Sequence, residues 1–138
     1  MRGKLACVWL VVVCVCLSAA CGRREVSAEA VLAEVDSFTS ELLQRVNRAQ
    51  DPSAGVDEAQ KFLDERRAEL ASKIAAVKKS SEFERDDALR KRMLESEITN
   101  GARVSALQTR HIRRSMDDEA FKAKLERLVN EYQLMFKV

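Results

Sequence analysis

The chain has 138 residues, with 24 Lys and Arg against 22 Asp and Glu, one His, four Cys, one Pro and four Gly. A net charge of +2 offers no broad basic field of the kind that draws nucleic acid, and a single histidine excludes the paired Glu-x-x-His sites of di-iron bundles. Few Pro and Gly beside 33% charged residues point to helices rather than to short strands and turns.

Taken in chain order, Arg2 and Lys4 come first, followed by an uncharged, mostly apolar run from Leu5 to Leu17. Ser18, Ala19 and Ala20 then lead into Cys21, and Arg23 and Arg24 follow. A basic start, a short apolar core and small residues before a cut is the layout of a secretory signal. The run is too short to span a bilayer, which takes about 20 apolar residues. Leu17-Ser18-Ala19-Ala20-Cys21 resembles the lipobox of bacterial lipoprotein precursors, with Leu one position further from the cysteine than is usual. The resemblance covers about residues 1–24. It implies removal of residues 1–20, lipid on Cys21, export and a membrane contact made through that lipid. Gly22, in place of an aspartate after the cysteine, implies the outer membrane of the cell envelope.

Cys7, Cys14 and Cys16 lie in the segment that would be removed, so no disulfide framework is expected and the domain must be held by packing. The mature part loses Arg2 and Lys4, leaving 22 cations against 22 acids, close to neutral. Residues 21–27 read as a tether and 28–138 as one domain.

A first helix is expected over Ala28–Ala49, with Val31, Val35, Phe38, Leu42 and Val46 at alternating spacings of four and three. Asp51-Pro52-Ser53-Ala54-Gly55 reads as a turn. A second helix follows over Val56–Lys79, its apolar stripe interrupted by Arg66 and Arg67. Ser81-Glu82-Phe83-Glu84 matches a capping box and predicts a third helix from Glu82, with Leu89, Met93, Leu94 and Ile98 inward. Whether it runs unbroken to about Arg114 or kinks at Gly101 stays open. Ser115 is the expected N-cap of a last helix carrying Phe121, Leu125, Leu128, Tyr132 and Met135. Acids four residues before bases, as in Glu41–Arg45, Glu69–Lys73, Asp57–Lys61, Asp86–Arg90 and Asp118–Lys122, support the exposed faces. The fold class is all-α, a small antiparallel bundle of about four helices.

No catalytic constellation, cofactor site or metal site is legible, and no enzyme activity is expected. His111 reads as a solvated helix-end residue. The sharpest candidate for binding is a basic face, Arg103, Arg110 and Arg114, which lack acids four residues upstream and would share one side of a continuous helix. Such a face could meet anionic headgroups or an acidic protein; the plainer reading is a solvated surface. The functional expectation is a non-enzymatic interaction or structural module of the envelope with a protein partner. The alternative is a chaperone-like or inhibitory factor that binds partner helices or unfolded proteins. An exposed apolar groove would favour the alternative. Nucleic acid is not an expected partner, and the oligomeric state is not legible.

Overall fold

The computed structural model describes residues 27–138, so Cys21 and the signal-like segment lie outside the described residues. Those residues are all-α and form six helices: α1 (Ala28–Arg48), α2 (Pro52–Lys78), α3 (Ser81–Arg85), α4 (Asp87–Arg110), α5 (Ile112–Asp117) and α6 (Glu119–Leu134).

Three of the four long helices begin on an aspartate. Asp51 accepts from the Ser53 and Ala54 N–H groups, Asp86 from those of Ala88 and Leu89, and Asp118 from that of Phe121. Each carboxylate satisfies donors that have no partner inside the helix. This explains why six helices replace the expected four. The segment 51–55 is the first turn of α2 and not a loop, because Pro52 occupies a position where its missing N–H costs nothing. Ser80, one residue before the expected cap, starts the single turn of α3. Asp86 then breaks that turn and starts α4 afresh. Asp118, not Ser115, caps the last helix. Because Asp86 and Asp118 are caps, the pairings expected with Arg90 and Lys122 do not form; Arg90 meets Asp87, and Lys122 meets Glu126.

Helix α4 passes through Gly101 without interruption and ends at His111. Its buried stripe is Leu89, Met93, Asn100, Val104 and Leu107. Leu94 and Ile98, expected inward, are 56% and 61% exposed. At about 100° per residue they cannot share a face with Met93 and Val104.

Helix α1 packs on α2 and α4, and α6 packs on the same two. Chain direction alternates from each long helix to the next, yet only two neighbouring pairs are antiparallel: α1 with α2, and α4 with α6. The other two run parallel. Between α1 and α4 the partners Ser40–Arg103, Asn47–Arg110 and Asp51–Arg114 all stand 63 residues apart. Between α2 and α6, Asp57 meets Lys124, Arg67 meets Glu131, and Lys78 meets the Phe136 carbonyl. The link from α2 through α3 therefore crosses the end of the bundle. Arg66 and Arg67, which interrupt the apolar stripe of α2, bridge outward to Glu34 of α1 and Glu131 of α6.

In the core Phe38 stacks on Phe62 with ring centroids 4.9 Å apart, and on Tyr132 at 6.3 Å. Thr39 Oγ1 donates to the Val35 carbonyl at 2.7 Å. Its single proton is thus committed, so the 2.5 Å contact with Tyr132 has the phenol donating. Burial pushes the Tyr132 phenol up to about 12. This bond ties α1 to α6 across the middle of the bundle.

Candidate functional site

The three arginines of the expected basic face come together along one line, and that line faces α1. Arg103 donates to Ser40 Oγ and Asn100 Oδ1, both at 2.9 Å, with Asp36 at 3.9 Å. Arg110 donates to Asn47 Oδ1 at 2.6 Å. Arg114, on α5, meets Asp51 at 2.9 Å and lies 5.0 Å from the centre of the Phe121 ring. They lack acids four residues upstream on their own helix, but α1 and its C-terminal turn supply partners from across the seam. Asn100 is fully buried and completes the ladder, donating to Asp36 at 2.8 Å and to Ser96 at 3.2 Å. The Ser53 N–H, then that of Ala54 and the Arg114 guanidinium, hold the Asp51 carboxyl below its ordinary range.

His111 sits at the break between α4 and α5. Its ring meets Phe121 edge-on at 5.6 Å, and its Nε2 is buried without a hydrogen-bond partner. Burial, with Arg110 and Arg114 alongside, pushes its pKa down from the usual histidine value. It is a half-buried packing group at a helix junction, not the solvated residue expected. Among the described residues no three His, Cys, Asp or Glu side chains gather as a metal would require, and no helix is long and apolar enough to cross a membrane.

Two further features come from the tertiary structure, the second anticipated only at the C-terminal Leu134-Met135-Phe136 cluster, of which Leu134 alone is exposed. The first is an apolar cavity of about 190 Å³ at the end of the bundle where α1 begins and α2 ends. Val31, Val35 and Ile74 form its buried wall, with Leu32, Phe83 and Leu94 nearer the mouth. The second is an asymmetry of the surface. Leu94, Ile98, Ile112, Met116, Leu134 and Val138 are the large apolar side chains most open to solvent among the described residues. All belong to α4, α5 or the C-terminal end; none belongs to α1 or α2.

No family model, curated protein or solved structure matches this chain. The functional reading therefore rests on its own residues.

Proposed function

We propose that the protein is a lipid-anchored, non-enzymatic interaction module of the bacterial envelope. In this reading Cys21 carries the lipid that holds it at the outer membrane, and the side built by α4, α5 and the C-terminus meets an envelope protein. The anchor is supported by the order of basic, apolar and small residues before Cys21. The observation that carries the docking side is the exposure of Leu94, Ile98, Ile112, Met116, Leu134 and Val138, all on α4, α5 or the C-terminal end and none on α1 or α2, since exposed apolar surface concentrated on part of a molecule marks interaction sites. Arg103, Arg110 and Arg114 are assigned to internal pairing, because each already has a partner on α1 or just beyond it.

The same apolar side also favours the second reading, a chaperone-like or inhibitory factor that binds partner helices or unfolded envelope proteins. In-cell crosslinking and pull-down of the intact protein from envelope membranes separates the two. Recovery of one folded partner, lost when Ile98→Asp and Met116→Lys are combined, is the expected result. Recovery of many unfolded proteins would establish the second reading, and an interaction pattern unchanged by the double variant would overturn the docking side. Intact-mass measurement tests the anchor separately: an unmodified Cys21 in the mature protein would sink it.

A further inference from the structure

The apolar cavity lies at the end of the bundle from which the tether departs. Val31 and Leu32 stand in the first two turns of α1, which begins at Ala28. Ala28 stands seven positions after Cys21, a reach of at most about 25 Å at 3.6 Å per residue. Ile74 and Lys78 come from the last turns of α2, and Met93 from the start of α4.

We propose that this cavity is a seat for one acyl chain of a membrane lipid, a deepening that rests on the lipid-anchored reading above. Its volume of about 190 Å³ compares with the apolar cavity of about 150 Å³ known to accept benzene. It therefore holds the terminal part of a chain, roughly six to eight carbons, entering tail first. Phe83 of α3 stands at the mouth, held there by Arg90, which donates to the Phe83 and Glu84 carbonyls at 2.8 and 2.6 Å. Lys78 also lines the cavity. One of its N–H groups bonds the Phe136 carbonyl at 2.6 Å, and its aliphatic stem extends the apolar wall. The acyl chain is either one carried on Cys21 or that of a neighbouring bilayer lipid; the chemistry of the seat is the same.

The test uses the full chain in cells fed a fatty acid that bears a photo-reactive diazirine and an alkyne. After irradiation, crosslinked peptides of the purified protein are mapped by mass spectrometry. Crosslinks enriched on peptides holding Leu32, Phe83 and Leu94 are expected. Leu32→Trp, which fills the mouth, should abolish that enrichment. Leu94→Trp should do the same at an exposed position where folding is undisturbed, with circular dichroism verifying the fold. Loss of the crosslinks in Cys21→Ala assigns the chain to the protein's own anchor, and their persistence assigns it to a bilayer lipid; both outcomes support the seat. Crosslinks scattered over the surface, or unchanged in both tryptophan variants, overturn it. The same spectra report acylation of Cys21, so failure of the anchor and failure of the seat are read independently.

Discussion

Helix α1 meets α2 through apolar side chains, a glycine and the pairing of Glu34 with Arg66 and Lys73, and meets α4 through a longer ladder of polar groups. On the α2 side, a Cβ on Gly55 would lie 2.8 Å from the Val46 carbonyl oxygen and 2.9 Å from the Ala49 Cβ. The helices touch there as closely as backbones allow. On the α4 side, Arg92 meets Glu29, Asn100 meets Asp36, Arg103 meets Ser40, Arg110 meets Asn47, and Arg114 meets Asp51. The contrast follows from how each neighbour arrives. The α1–α2 connection is three residues long and ends on the Asp51 cap, so register is set locally and the seam is free to be tight. Helix α4 arrives after crossing the bundle end, with no turn to align it to α1. A slip of one helical turn, about 5.4 Å, would part Asn100 from Asp36, Arg103 from Ser40 and Arg110 from Asn47, while the bonds of Asn100 to Ser96 and Arg103 within α4 would persist. The ladder thus specifies register where connectivity does not.

Large apolar truncations should have the greatest effect. Leu63→Ala, on α2, and Leu128→Ala, on α6, are both fully buried and should each cost about 2–5 kcal/mol in urea unfolding. A negligible loss at either would contradict its place in the core. Next comes Gly55→Ala. Alanine favours a helix over glycine by about 0.5–1 kcal/mol, yet the clash with the Val46 backbone predicts a net loss of about 1–3 kcal/mol. Stabilisation would show that the two helices separate easily. Asn100→Ala leaves Asp36 and Arg103 without a shared partner and should cost about 1–3 kcal/mol; a neutral result would remove the ladder's claim to register. Among the smallest effects, Arg110→Gln removes a hydrogen bond to the neutral Asn47 amide and should lower stability by at most about 1 kcal/mol, with little dependence on salt.

Two single residues allow the pH dependence to be read directly. Tyr132 is the only tyrosine, so the phenolate absorbance should titrate near its raised value of about 12. Its contribution to stability is complete below the unfolded value near 10 and is lost as pH rises from there toward about 12. Titration at the ordinary phenol value would contradict the burial of the Tyr132 ring. His111 works in the opposite direction. Its folded pKa is lowered, so the unfolded chain takes up a proton that the folded chain resists. Stability therefore falls as pH drops through about 6.5, and His111→Gln should flatten that slope. A histidine NMR titration at or above the unperturbed value would contradict its buried placement.

The apolar stripes of α1 and α6 were legible because every core position recurs at helical spacing: Val31 through Val46, and Phe121 through Tyr132. The α4 stripe was misread because its middle member is a polar residue, Asn100, while Leu94 and Ile98 on the outer face imitate a core. The helix starts were missed at Asp86 and Asp118, since an aspartate before a base four residues on reads equally as a surface pair, and at Asp51, since Pro52 and Gly55 after it read as a turn. The arginine face was found as a set of residues and misassigned in its surroundings; a partner 63 positions away leaves no trace in local spacing. The cavity had no local signal either, because its walls come from the ends of several helices.

What the sequence determined by itself is local: all-helical structure, the placement of α1 and α6, and the signal-like pattern ahead of Cys21, all of which follow from periodicity and short-range chemistry. Which helices are neighbours, that α4 lies parallel to α1, where the arginines find partners and which apolar residues stay open were decided by tertiary packing. The reason is physical. Periodicity tells which face of a helix is apolar, but four such faces can be joined in more than one order. The choice among them depends on contacts between residues that are distant in the chain, such as Asn100 with Asp36 and Tyr132 with Thr39.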